Sequence, residues 1–151
     1  MYHYTDCGLD YVWLENGYKE IDTPYGRAVS IENVDRLHKS IGLAVVKLKK
    51  SLSGADVRFL RKEMDFSQSA LGDLLGVDEQ TVARWEKLGR INAPEDRLLR
   101  ALFVECMTGK AAVKSIAIQV SKRVSQAGGS EDEPTLRFEE RNNDWRESIA
   151  A

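Results

Sequence analysis

Val82 and Trp85 stand three residues apart, and a helix that buries both turns Glu79, Gln80, Ala83, Arg84 and Lys87 to its opposite face. That face carries a carboxylate, a primary amide, a guanidinium and an ammonium. These groups hydrogen-bond a partner through donors and acceptors of both kinds. The rest of the chain is thin in reactive groups. His3, His38, Cys7 and Cys106 are its only histidines and cysteines, and only His3 and Cys7 lie near each other in sequence. A structural zinc needs four such ligands. No phosphate-binding glycine motif, Gly-x-Ser-x-Gly elbow or His-Glu-x-x-His pair occurs, and the carboxylate pairs read as charge decoration. The chain is therefore expected to have no catalytic residues, no metal and no cofactor.

Turning such a face outward requires a preceding helix that crosses close by through a short turn. Gly72 supplies the absent side chain at the crossing. Gly76, four positions on, supplies the tolerance of positive φ in the turn. Leu71, Leu75, Val77, Val82 and Trp85 fall where the pair must be apolar. Ser67 reads as the cap of the first of these helices, with Phe66 and Leu71 as its staple, and Asp78 as the cap of the second, running to about Lys87. Upstream, Ser53 with Asp56 resembles a capping box, Leu52 can staple onto Val57, and Val57, Leu60 and Met64 form one apolar face. Downstream, Pro94 suits the first turn of a helix with Glu95 and Asp96 near its positive end, and Leu98, Leu99, Leu102 and Phe103 read as its core face.

Residues 53–107 are similar to the lambda-repressor-like, or Xre, helix-turn-helix regulators, with Leu71, Gly72, Gly76, Val82 and Trp85 as the core of the motif. The resemblance implies a five-helix DNA-binding domain whose second motif helix, 79–87, lies in the major groove. Glu79, Gln80 and Arg84 would then read bases: Arg84 can pair with a guanine edge, Gln80 with an adenine edge, and Glu79 can accept from a cytosine amino group or merely repel phosphate. Gln68, Thr81, Lys87, Arg90 and Asn92 would contact phosphates. One short helix touches too few base pairs for specificity, so a homodimer on a palindromic operator is expected, with Leu98, Leu102, Phe103 and the segment after Gly109 as its surface.

The N-terminal region reads as β structure. Tyr11–Leu14 is a run of strand formers, Asn16-Gly17 suits a hairpin turn, Tyr18–Ile21 would return, and Thr23-Pro24-Tyr25-Gly26 turns again before a third strand over 27–30. From Ser30, taken as a cap, Ile31, Val34, Leu37 and Ile41 follow helical steps that stop near Gly42, and 43–52 reads as linker. Cys7 to Leu14 and Thr23 to Gly26 resemble the amino-terminal module of MqsA-like (YgiT-type) antitoxins, which carries paired Cys-x-x-Cys zinc ligands. Here Cys7 stands alone, so the module is expected to keep the fold without the metal. His3 and His38 are then packing or surface residues and Cys106 a core residue. Beyond Gly109, a helix over 113–124, an acidic break at 128–134 and a strand at 136–139 are expected. That strand would pair with the N-terminal sheet in cis or across a dimer, and Trp145 would fall in a polar tail.

Composition frames these readings. Of 151 residues, 42% are hydrophobic and 30% charged, the balance of a globular chain rather than a disordered tail. Two cysteines argue against a disulfide framework, and the first residues do not read as a signal peptide; cytoplasmic residence is expected. Lys+Arg against Asp+Glu is 4 to 7 over 1–46, 11 to 9 over 47–100 and 7 to 8 over 101–151, so only the middle is basic. The expected fold is mainly α, in three parts: a small α+β module (1–46), the helix-turn-helix domain (47–109) and a C-terminal helix, linker and tail (110–151). The expected function is a DNA-binding transcriptional repressor, the antitoxin of a type II toxin–antitoxin pair repressing its own operon. Its partners would be double-stranded DNA, a second copy and a toxin protein, with no membrane association. A repressor without a toxin and a protein-interaction scaffold are the alternatives.

Overall fold

The computed structural model describes residues 1–109 and 133–148, which fall into two compact units: Met1–Ile41 with Thr135–Ala151, and Gly42–Pro134. The helix expected over 113–124 and most of the acidic break expected at 128–134 lie outside the described residues.

The first unit holds two sheets. β1 (Tyr2–His3), β2 (Val12–Leu14), β5 (Leu136–Arg141) and β6 (Asp144–Glu147) form a sheet in the order β1-β2-β5-β6. β2 and β5 run parallel, pairing Val12 with Leu136 and Leu14 with Phe138. Those four residues are buried, with half-exposed Trp13 and Arg137 alternating between them, as the period of two demands. The C-terminal strand thus pairs with the N-terminal sheet within one chain. β3 (Tyr18–Thr23) and β4 (Gly26–Ile31) make a separate two-stranded ribbon.

β2 and β3 do not form a hairpin across Asn16-Gly17. β5 occupies the place beside β2, and Asn16 Oδ1 accepts the Glu140 N–H at 2.7 Å. The hairpin is the next one, closed by Pro24-Tyr25 between Thr23 and Gly26. Ser30 and Ile31 are strand, not cap and helix; α1 (Val34–Leu48) begins after Asn33, whose φ is 48°. Trp145 is no tail residue: it is buried, and its indole N–H donates to the Glu32 carbonyl at 2.8 Å.

α1 runs through Gly42 and takes in most of the expected linker, because Ala44, Val45 and Val46 give it a buried face. Gly42 is no stop: the Phe103 ring lies where its Cβ would be. α2 (Gly54–Glu63), α3 (Gln68–Leu75), α4 (Glu79–Leu88) and α5 (Ala93–Thr108) complete the second unit. Leu99, Phe103 and Val104 are the buried face of α5. Phe103 is therefore core rather than dimer surface, while Leu98, expected in the core face, is 47% exposed. Cys106, expected in the core, is exposed.

Arg100, only 1% exposed, finishes α1: its guanidinium donates to the carbonyls of Val46 (3.0 Å) and Lys49 (2.6 Å) and pairs with Asp96 at 2.5 Å. Asp96 in turn accepts the Leu52 N–H at 3.1 Å, so a carboxylate read from sequence as a dipole partner also ties down the turn before α2. Lys49 Nζ sits 2.8 Å from Asp56 and 2.7 Å from Glu133. Burial pushes its pKa down, but the hydrogen bonds to these two carboxylates outweigh that and hold it above the ordinary lysine value. Of the described residues 47% are helical and 22% are strand, so the fold is less predominantly α than expected. No described helix is long and apolar enough to cross a membrane.

Candidate nucleic-acid interface

α4 is held at both ends and along its inner face. At its start, Asp78 Oδ1 accepts both the Thr81 N–H (2.7 Å) and the Thr81 hydroxyl (2.6 Å). Those bonds hold the Asp78 carboxyl below its usual pKa, the hydroxyl bond contributing most and the Arg84 charge less. At its end, Gly89 adopts φ 71° and its N–H bonds to the Trp85 carbonyl. Val82 and Trp85 are buried, at 0% and 4% exposure. α3 approaches closely because residue 72 is glycine: a Cβ there would stand 2.6 Å from the Val77 carbonyl oxygen. Gly76 closes α3 at φ 75°, and the Val77 N–H returns to the Gly72 carbonyl at 2.9 Å. α3 itself is capped by Ser67, as the sequence predicts.

A third helix braces the pair. Arg61 on α2 grips Glu86 on α4 with two bonds, Nε to Oε2 and Nη2 to Oε1, both 2.9 Å. Its remaining nitrogen, Nη1, donates to the Phe66 carbonyl at 3.0 Å. Gln68, opening α3, directs its amide at the same carboxylate, 3.4 Å away. The start of α2 lies against the end of α4: the Glu86 carbonyl occupies the space a Cβ at Gly54 would need. The Ser53–Asp56 capping box is present in full.

With the inner face so committed, Glu79, Gln80, Arg84 and Lys87 are exposed, Ala83 half-buried between them, and Arg90 and Asn92 exposed just beyond. Asn92 caps α5 by position without a side-chain bond. These side chains present two amides, three cations and a carboxylate on and just after one helix. Two expected members differ in state: the Thr81 hydroxyl is engaged by Asp78, and Gln68 is half-buried beside Glu86.

Residues 57–102 match the family model described as Helix-turn-helix. The match covers α3 and α4 whole, most of α2 and the first part of α5, and it supports a DNA-binding regulator. No curated protein and no solved structure matches the chain.

Sequence reasoning passed over Arg61, Glu86 and Gly54. Nothing in the spacing of Arg61 and Glu86 links them, since a pairing across 25 residues leaves no local pattern. Gly54 did carry a signal: a glycine directly after a capping serine is a poor helix former, and its placement there marks a close approach.

His3, His38 and Cys7, weighed against zinc, have other partners. His3 Nε2 lies 2.6 Å from the Asp10 carbonyl and its ring stacks on Trp13 at 4.3 Å. His38 Nε2 lies 2.7 Å from the Tyr4 hydroxyl. The Cys7 thiol points to the carbonyls of Tyr4 and Leu9. Among the described residues no group of three or more metal-ligating side chains comes together.

Proposed function

We propose that the chain is a sequence-specific DNA-binding transcriptional repressor that enters the major groove with α4. The observation carrying this reading is the division of α4 into a buried side, Val82 and Trp85, and an exposed side bearing Gln80, Arg84 and Lys87, on a helix braced by α2 and α3. Arg84 and Gln80 have the fork geometries that match guanine and adenine edges. Lys87, Arg90 and Asn92 follow where the helix leaves the groove and phosphates are within reach. Glu79 with Asp78 makes the leading end acidic, which disfavours non-specific phosphate contact and favours a cytosine amino group. Gln68 is a phosphate donor held by Glu86. Thr81 acts through its cap, since a phosphate contact would require breaking its bond to Asp78.

Two copies on a palindromic site supply the contact area that one ten-residue helix lacks. The experiment is a mobility-shift titration against the DNA upstream of the chain's own gene, run beside random DNA at several salt concentrations. A preference for the upstream fragment that persists as salt rises supports the reading. Equal affinity for both fragments at every salt concentration contradicts it.

A narrower form of the same reading is an antitoxin repressing its own operon, drawn from the order of a sheet-bearing module before the helix-turn-helix. Co-expression with the neighbouring reading frame separates the two forms: relief of growth arrest and a co-purifying complex favour the antitoxin, and neither outcome leaves a repressor without a toxin.

A further inference from the structure

The β3–β4 ribbon is firmly rooted and otherwise bare. At its root the Glu32 N–H donates to the Gly17 carbonyl at 2.9 Å, and Trp145 bonds Glu32 and lies against Gly17, where a Cβ would be 2.5 Å from the indole. The Tyr2 ring sits 5.3 Å from that of Tyr18. Beyond, every residue from Lys19 to Ala28 is exposed, Tyr25 completely. Two-stranded ribbons are marginal in water unless something covers them.

The phase of the ladder says which groups are unpaired. In an antiparallel pair, alternate residue pairs exchange both backbone bonds. The Gly17–Glu32 bond sets the alternation, so Lys19–Ser30, Ile21–Ala28 and Thr23–Gly26 are bonded pairs. The backbone N–H and C=O of Tyr18, Glu20 and Asp22 then point out of the β3 edge, and those of Arg27, Val29 and Ile31 out of the β4 edge. Among the described residues no third strand takes up either edge.

The two edges differ in charge. β3 carries Lys19, Glu20 and Asp22, the kind of decoration that blunts an edge. Two β3 strands related by a two-fold axis, in the register that matches all their outward groups, would set Glu20 against the partner's Glu20, and like charges directly opposed are destabilising. β4 carries only Arg27, which its own ribbon holds 3.6 Å from Glu20 and Asp22. The same operation on β4 sets Val29 against the partner's Val29 and Arg27 against the partner's Ile31. No like charges meet, and the half-buried Val29 and Ile31 share one face.

We propose that β4 is a self-docking edge, through which two copies of the chain join antiparallel about Val29 into one four-stranded sheet. Such an interface is isologous and closed, which makes a discrete dimer rather than a fibre. The inference stands on the ribbon alone and does not depend on α4 reading DNA.

Sedimentation equilibrium on the full chain tests it. The native protein is expected to be dimeric at micromolar concentration. Val29→Pro removes an outward N–H without breaking a bond inside the ribbon, and Val29→Lys opposes two ammonium groups across the seam while facing the carboxylate of Glu20, its partner within the ribbon. Each is expected to weaken the dimer by about tenfold or more, with an unchanged far-ultraviolet circular dichroism spectrum. Glu20→Pro, the equivalent change on the β3 edge, is expected to leave the dimer intact. A monomeric native protein, a dimer indifferent to a folded Val29 variant, or loss of the dimer on changing Glu20 but not Val29 would each overturn the proposal. Should Val29→Pro alter the spectrum, Val29→Lys decides.

Discussion

Arg61 and Glu86 lie on different helices and meet in a two-bond fork, both bonds 2.9 Å, with side chains only 12% and 8% exposed. A desolvated pair of this kind is costly to break, because removing one partner leaves the other buried and uncompensated. Glu86→Ala is expected to lower unfolding free energy by about 3–5 kcal/mol. Replacing both residues with leucine removes the stranded charge and is expected to recover much of that loss. Urea denaturation of the three proteins checks this; a Glu86→Ala midpoint within error of the native one would contradict it.

Arg84 and Lys87 share the exposed side of α4 and are assigned different tasks. Arg84→Ala is expected to reduce discrimination at one base position by about 1–3 kcal/mol while binding to random DNA changes little. Lys87→Ala is expected to weaken every sequence alike and to shallow the salt slope by about 1. Competition binding with a single-base-variant panel at several salt concentrations separates them. Parallel losses on specific and random DNA for both variants would refute the assignment.

Asp78 gives the protein an acid limit. Its pKa is lowered in the folded state, so the cap's contribution is fully present above the ordinary aspartate pKa and disappears as pH falls through the lower folded value. α4 is therefore expected to be indifferent to pH through the neutral and mildly acidic range and to fray at its first turn only below the usual carboxylate range. Carbon-detected NMR titration of the side chain should place Asp78 below an unperturbed aspartate. In Thr81→Ala the pKa is expected to move upward, because the hydroxyl bond is its largest cause.

What could be read from the sequence was local. Ser53, Ser67, Asp78, Gly72 and Gly76 each announce a cap or a crossing within a few residues of where it acts, and the structure has helices starting, stopping and touching there. What could not be read was held together across long separations. β5 lies beside β2 through pairs more than 120 residues apart, and without it Asn16-Gly17 looked like a hairpin turn. Trp145 looked like tail because its partners, Gly17 and Glu32, belong to the other end of the chain. Gly42 looked like a helix stop because the ring that fills its missing Cβ comes from Phe103. The outward face of α4 was legible from spacing; the Arg61 brace behind it was not, since a buried ion pair and two solvated charges are written with the same letters.

Gly72 and Gly76 are both glycine for different reasons, and substitution should tell them apart. At 76 there is nothing within 4 Å of a built Cβ; the constraint is φ 75° alone. Gly76→Ala is therefore expected to cost about 1–2 kcal/mol, and Gly76→Asn less, since asparagine tolerates the left-handed region. DNA affinity of the folded fraction should be unchanged in both. At 72 the backbone is ordinary helix, but the built Cβ meets a carbonyl oxygen of the turn at 2.6 Å, and a backbone atom cannot swing aside. Gly72→Ala must push α3 away from α4, at about 1–3 kcal/mol, and no other side chain rescues it. Because that movement shifts the brace under the exposed side of α4, DNA affinity is expected to fall even at temperatures where the variant is fully folded. Thermal melts with binding measured well below each midpoint make the comparison. If Gly72→Ala proves no more disruptive to binding than Gly76→Ala, the close crossing is not what aims α4.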